Sequence, residues 1–225
     1  MIAALFVDPA GIYSGLPWVD CWGENRDARN YAGPWPVVAH PPCARWCRLA
    51  GLVEKKHGYM RGDDGGCFES ALSSVRTHGG VLEHPAYSAA WAHFGIARPN
   101  ATGGWQRTLC GGWTCHVEQW FYGHKAKKAT WLYAYGVDPL PMKWGFTPDA
   151  ECTAYVTDGG GDLKRKRAAG YSWCGNTIKG GQRRDRLGAR EASATPIEFR
   201  DALLLIARTS YNAQLVAVSA KEKQA

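Results

Sequence analysis

No segment of this 225-residue chain approaches the ~18 consecutive apolar residues that a membrane-spanning helix needs. The opening run Met1-Ile-Ala-Ala-Leu-Phe-Val7 lacks the basic flank and the length of a secretory signal peptide. Both absences point to a soluble, cytoplasmic protein with no membrane partner. The eight cysteines lack regular spacing, and neither Cys43 with Cys47 nor Cys110 and Cys115 with His116 forms the repeated Cys-x-x-Cys pairs of a zinc finger. Reduced thiols are expected, and no metal. A clean Gly-x-Gly-x-x-Gly is missing too, because Gly11-Ile-Tyr-Ser14-Gly15-Leu-Pro17 is glycine-punctuated but no long helix follows it.

Acidic residues run short in one place. From Leu163 to Arg190 only Asp185 opposes Lys164, Arg165, Lys166, Arg167, Lys179, Arg183, Arg184, Arg186 and Arg190, and this excess carries the net charge of +7. With Tyr171 and Trp173 between the charges, the segment reads as a surface that holds phosphates and stacks on bases, or as a solvated loop; the two are compatible. Eleven tryptophans are many for this length, and they suit either stacking or burial.

What is present is a series of short apolar runs, each stopped by turn residues. Ile2 to Val7 reads as a first strand that halts at Asp8-Pro9-Ala10-Gly11. Trp18 to Gly23 reads as a second, and Glu24 and Asp27 arrive at its end, where a nucleotide-binding fold commonly places an acceptor for ribose hydroxyls. Val37-Val38-Ala39 reads as a third strand that Pro41-Pro42 must end, since proline offers no ladder donor and bars helical geometry before it. Cys43 therefore leaves the carboxyl end of a strand, the edge where open α/β sheets bind ligands. It is either a nucleophile held by two rigid prolines or a small packing residue.

Arg48 to Gly66 is polar and glycine-rich, and reads as a mobile loop over the site. Cys67 to His78 carries Phe68, Ala71, Leu72 and Val75 at helical spacing, closed by Gly79-Gly80, and reads as the crossover helix. Val81-Leu82-Glu83 repeats the strand pattern, so two parallel strands set Cys43 and Glu83 at one edge. A thiolate with a carboxylate across the pocket suits conjugate addition to a pyrimidine; the alternative role for Glu83 is to cap a helix over 86–94. Strand signals return from Trp113 to Val117 and from Ala129 to Tyr135, around a basic turn with Lys125, Lys127 and Lys128 that either holds phosphate or is a solvated hairpin tip. The expected fold is α/β, a Rossmann-like, mostly parallel sheet with flanking helices and a basic, loop-rich insertion. Residues 1–150 form the catalytic core, 151–192 the segment that contacts nucleic acid, and 193–225 a C-terminal helix packed back on the core, with Thr195-Pro196 starting it.

The order of Leu5-Phe6 with a glycine loop, Glu24 with Asp27-Ala28 and Tyr31, Pro41-Pro42-Cys43, Leu82-Glu83, and Glu118-Gln-Trp-Phe-Tyr-Gly-His-Lys-Ala-Lys-Lys128 resembles the cytosine-C5 DNA methyltransferases. It is similar above all to small phage and prophage proteins with a His-Pro-Pro-Cys and a Glu-His-Pro segment, which would put it in a host cytoplasm. The resemblance spans roughly residues 2–135. It implies that Cys43 attacks carbon 6 of cytosine, that Glu83 holds the ring nitrogen and exocyclic amine, and that Glu24 binds the ribose of S-adenosylmethionine. Phe6, Asp8, Gly11, Asp27 and Pro41 would complete the cofactor pocket. The chain departs from the family in its first motif, here Phe6-Val-Asp-Pro-Ala-Gly-Ile12, and in Glu83-His84-Pro85 and Lys125-Ala-Lys-Lys128. No large target-recognition domain is present, and the basic stretch from Leu163 is its only replacement.

The expected function is a DNA nucleobase-modifying transferase, most concretely cytosine-C5 methyl transfer through a covalent cysteine adduct. Phosphates would meet Arg45, Lys125, Lys127, Lys128, Lys164, Arg165, Lys166, Arg167, Arg183 and Arg184, while a base is extruded from the duplex. His40, Arg45 and Arg48 are the local candidates for lowering the Cys43 pKa, while a buried apolar setting would do the reverse. The alternatives are a catalytically silent DNA-binding protein with the same fold, or another modification of a pyrimidine base or nucleotide.

Overall fold

Alternation within Ile2-Ala-Ala-Leu5 decides how the first strand is used. Ile2 and Ala4 join one core cluster while Ala3 and Leu5 join another, as the two-residue period of a strand buried on both faces requires. The same split recurs in the third strand, where Val38 faces the first cluster and Val37 and Ala39 the second. The computed structural model describes residues 1–48, 50–147, 154–155 and 185–210.

The strands are β1 (Ile2–Leu5), β2 (Val19–Trp22), β3 (Val37–Ala39), β4 (Gly80–Pro85), β5 (Gln106–Arg107), β6 (Trp113–Glu118) and β7 (Ala129–Tyr135). They form one seven-stranded sheet in the order β2-β1-β3-β4-β7-β6-β5. The pairs β1 with β2, β1 with β3, and β3 with β4 are parallel; β4 with β7, β7 with β6, and β6 with β5 are antiparallel. The sheet is thus mixed, and the expectation of a mostly parallel one is corrected. Apolar runs reveal strands but not their direction, and here the short basic connection after β6 returns the chain as an antiparallel neighbour. A separate parallel pair, β8 (Ala154–Tyr155) and β9 (Asp185–Arg186), lies outside this sheet.

The helices are α1 (Ala50–His57), α2 (Cys67–His78), α3 (Ala89–His93), α4 (Ala189–Ser193) and α5 (Ile197–Arg208). α2 buries Phe68, Ala71, Leu72 and Val75, the i, i+3, i+4, i+7 stripe of an amphipathic helix, and α3 adds Ala90 and Trp91 to the same cluster. α5 covers the opposite face with Phe199, Leu203, Leu204 and Ile206, packed with Ile2, Val38 and Val81. Each such side chain contributes about 1.5–3 kcal/mol of burial. This helix packs on the core within the expected C-terminal segment 193–225, of which 211–225 lie outside the described residues. α1, in contrast, replaces the first part of what reads as a loop from Arg48 to Gly66; the run Glu54-Lys-Lys-His57 has good helix formers but no apolar stripe to signal it. No described helix is long and apolar enough to cross a membrane.

One glycine holds the centre of the sheet together. Gly80 pairs with Val37 at the start of β4, with φ +133, and a Cβ there would lie 1.9 Å from the Val37 carbonyl oxygen. Only glycine permits β3 and β4 to come together at that point.

Candidate active site

From β1 the chain moves outward to β2, then returns across β1 to place β3 on its other side and β4 beyond. The direction of winding reverses between β1 and β3, and in open α/β sheets the crevice beyond the strands' carboxyl ends at such a reversal receives ligands. The Leu5 carbonyl accepts from the His40 amide at 3.0 Å, and the Trp22 carbonyl from the Phe6 amide at 2.8 Å, so the loops after β1, β2 and β3 leave at one level. Because β6 runs with β4 and β7 against it, the end of β6 and the start of β7 reach this edge too. Phe6, His40, Glu83, Gln119 and Lys128 therefore gather at one rim, drawn from five strand ends.

Glu83 is the best-connected group there. One carboxylate oxygen lies 3.1 Å from His40 Nδ1; the other accepts from Gln119 Nε2 at 3.1 Å. The same Gln119 nitrogen donates to Thr130 Oγ1 at 2.9 Å, and Thr130 donates to the Lys128 carbonyl. His40 Nε2 lies 2.8 Å from the Tyr13 hydroxyl. Burial, with the Glu83 charge next, holds the Tyr13 phenol well above its ordinary pKa. When the imidazole is neutral the phenol donates to Nε2, and Nδ1–H then donates to Glu83. Burial alone would push the Glu83 carboxyl up, but the His40 hydrogen bond, the positive charge His40 carries when protonated and the charge of Lys128 outweigh it and leave it below the usual carboxylate range. Glu83 is an almost buried carboxylate, its side chain only 12% exposed. It caps no helix: Ser88 performs that role for α3, accepting from the Ala90 amide.

Cys43 lies at the same rim, half-buried, after the buried Pro41. Burial, then the neighbouring Cys47 and Glu83, push its thiol up to about 11, against a smaller opposing effect of Lys128. The raising effect of a buried setting prevails over the lowering expected of His40, Arg45 and Arg48. His40 is turned to Glu83, and the Arg45 guanidinium stacks 4.1 Å over the Tyr59 ring. Lys128 is the cation that acts on both Cys43 and Glu83, although burial lowers its own pKa. Its ammonium donates to the carbonyls of Ser193 and Ala194 at 2.8 and 2.6 Å, tying the start of the α5 arm to the site.

Two rim residues adopt backbone conformations that side chains disfavour. Phe6 has φ 59 and Lys128 φ 41, in the left-handed region where non-glycine residues are uncommon and where functional sites concentrate strain. The β1 loop also depends on Gly23, whose Cβ would meet the Val7 carbonyl at 2.6 Å and the Pro9 ring at 2.9 Å.

The remaining expected site residues are placed unequally. Phe6 and Gly11 are half-buried beside the crevice, and Glu24 is exposed just past β2 with no side-chain hydrogen bond recorded among the described residues. Asp8 is engaged locally by the Ala10 amide, and Asp27 pairs with Arg29 at 2.7 Å. Lys125 is exposed and pairs with Glu191 at 3.0 Å, and Lys127 is buried. Lys164, Arg165, Lys166, Arg167, Arg183 and Arg184 lie outside the described residues. Reading the sequence missed Tyr13, Gln119 and Thr130. Gln119, directly after β6, carried a signal in its position at a strand end, whereas Tyr13 carried none. Among the described residues no group of three or more His, Cys, Asp or Glu is placed to hold a metal ion. Comparison of the chain with family models, with curated proteins and with solved structures finds no match.

Proposed function

We propose that this chain is a Rossmann-like transferase that modifies a pyrimidine base of DNA, with cytosine-C5 methyl transfer as its chemistry. The observation that carries the reading is the pairing of Cys43 and Glu83 at the carboxyl ends of adjacent parallel strands, with Glu83 held as a carboxylate by His40 and Gln119. An oriented carboxylate suits the ring nitrogen and exocyclic amine of cytosine, two donors on one edge once the ring nitrogen carries a proton. The Cys43 sulfur bonds to carbon 6 as the carbon 5–carbon 6 double bond opens, and the proton lost from the thiol is balanced by the proton taken up at the ring nitrogen beside Glu83. Lys128, next to both groups, stabilises the thiolate as it appears.

The crevice residues fit S-adenosylmethionine in part. Phe6 offers a ring beside the end of β1 and Glu24 offers its carboxylate to ribose hydroxyls; Gly11 packs closely on Asp8, and Asp8 and Asp27 are engaged elsewhere. When bound there, that group would supply an electrophilic methyl. The DNA backbone would meet the basic segment over 163–190, and the host cytoplasm is the proposed location. The test is transfer of labelled methyl from S-adenosylmethionine to cytosine-containing DNA, with calorimetry of donor binding alongside. Wild-type protein is expected to bind and transfer, and Cys43→Ser to bind without transferring; undiminished transfer by Cys43→Ser would remove the mechanism.

One observation favours a second reading. A thiol pushed up to about 11 in the resting protein suits a catalytically silent DNA-binding protein with the same fold. Salt-sensitive DNA binding without any donor binding would select it.

A further inference from the structure

Tyr13 belongs to neither Cys43 nor Glu83 in the chain, yet it is linked to both sides of the crevice. It sits in the loop between β1 and β2, almost fully buried, and reaches His40 Nε2 at 2.8 Å while His40 Nδ1 reaches Glu83 at 3.1 Å. The loop is clamped from the other side, because Arg200 of α5 donates to the Ile12 carbonyl at 2.6 Å. With a neutral imidazole the protons run from phenol to imidazole and from imidazole to carboxylate.

We propose that Tyr13 and His40 are positioning residues that orient Glu83 and couple it to the loop after β1, so that occupancy of that loop is felt at the acid. This deepens the reading of Glu83 as the base-holding carboxylate and rests on it. The coupling is geometric first: the imidazole fixes one carboxylate oxygen, Gln119 fixes the other, and the phenol fixes the imidazole's tautomer. Glu83 is faced by His40 from the end of β3, Lys128 from the start of β7, His84 on its own strand and Cys43 across the rim. Tyr13 is faced by Glu83, Arg200, Asp201 and Cys21. Of these, His40 alone hydrogen-bonds both Tyr13 and Glu83.

The experiment is a pH titration of Glu83 by difference infrared spectroscopy, with Glu83→Gln assigning the carboxyl band, run beside the pH profile of methyl transfer. His40→Leu removes both hydrogen bonds, and the Glu83 titration is expected to move up by about one pH unit or more. His40→Asn keeps a donor near the Nδ1 position and is expected to restore most of the wild-type value. Tyr13→Phe, which changes one atom and keeps the packing, is expected to produce a smaller upward shift and to move the acid limb of the transfer profile with it. A Glu83 titration unchanged in both Tyr13→Phe and His40→Leu overturns the coupling, even if methyl transfer proceeds. Shifted titrations without transfer by the wild type support the coupling and sink the proposed function.

Discussion

Cys43 and Cys110 lie at opposite parts of the sheet in opposite settings, and their competition for an alkylating reagent can be worked out. Cys110 is exposed; burial would raise its pKa, but Thr108 at 2.9 Å, Tyr133 at 3.2 Å, the Gly112 backbone and the Arg76 charge bring it down to about 7. Cys43 is pushed up to about 11. Near pH 7.5 the thiolate fractions are then roughly 0.8 and roughly 0.0003, a ratio of about 2,500. The more basic thiolate is the better nucleophile, and with a Brønsted slope of ~0.4–0.5 this returns a factor of about 40–100 to Cys43. Cys110 should therefore react roughly 25–60 times faster with iodoacetamide, before its greater exposure widens the gap. Peptide mapping of the time course measures this directly. Raising the pH should speed alkylation of Cys43 up to its high pKa, while Cys110 levels off above about pH 8. Equal rates at neutral pH would refute the reasoning and show that a group of this site already ionises Cys43. Acceleration at Cys43 only when substrate or donor is added would mean that ligand binding supplies the activation.

Acid stability follows from two buried histidines. His84 and His116 are almost wholly buried, and burial, assisted at His116 by the Arg98 charge, lowers each from 6.5 to about 4. The unfolded chain takes up these protons as pH falls below 6.5, whereas the folded chain resists until about 4, so stability is present above this window and lost through it. The loss should approach roughly 3 kcal/mol per histidine, and urea midpoints that do not change between about pH 7 and 4.5 would contradict it. His84→Asn should remove about half of that dependence, whatever its own effect on stability. Gly23→Ala should cost ~1–3 kcal/mol by pushing the Val7 carbonyl and the Pro9 ring away, read as a lower melting temperature. Phe199→Ala, in a fully buried position of α5, should cost about 3–5 kcal/mol; a loss under ~1 kcal/mol would mean that α5 is not part of the core.

Much of the parallel half was legible, because strands β1, β3 and β4 are apolar runs stopped by Asp8-Pro9, Pro41-Pro42 and Pro85. Pro41-Pro42 alone placed Cys43 at a strand's carboxyl end, and the repeat at Glu83 placed the acid beside it. The direction of β6 and β7 was not legible, since alternation says where a strand is and not which neighbour it takes. α1 was hidden by its polar composition. Within the site, Glu83 read equally well as a cap, and only Ser88 taking that role frees it. The partners that define it, Tyr13, His40 and Gln119, come from three different strand ends, and no local pattern brings such residues together. Lys127 read as an exposed charge from its neighbours Lys125 and Lys128, yet it is buried.

The central claim is that the Cys43 sulfur bonds to a pyrimidine held by Glu83. DNA carrying 5-fluorocytosine, incubated with the protein and S-adenosylmethionine, tests it, because fluorine at carbon 5 blocks the final elimination and traps the sulfur adduct. Mass spectrometry should find the modified base on the peptide that contains Cys43 in the wild type, and no adduct in Cys43→Ser. An adduct on another residue, or none although donor and DNA both bind, would contradict the account.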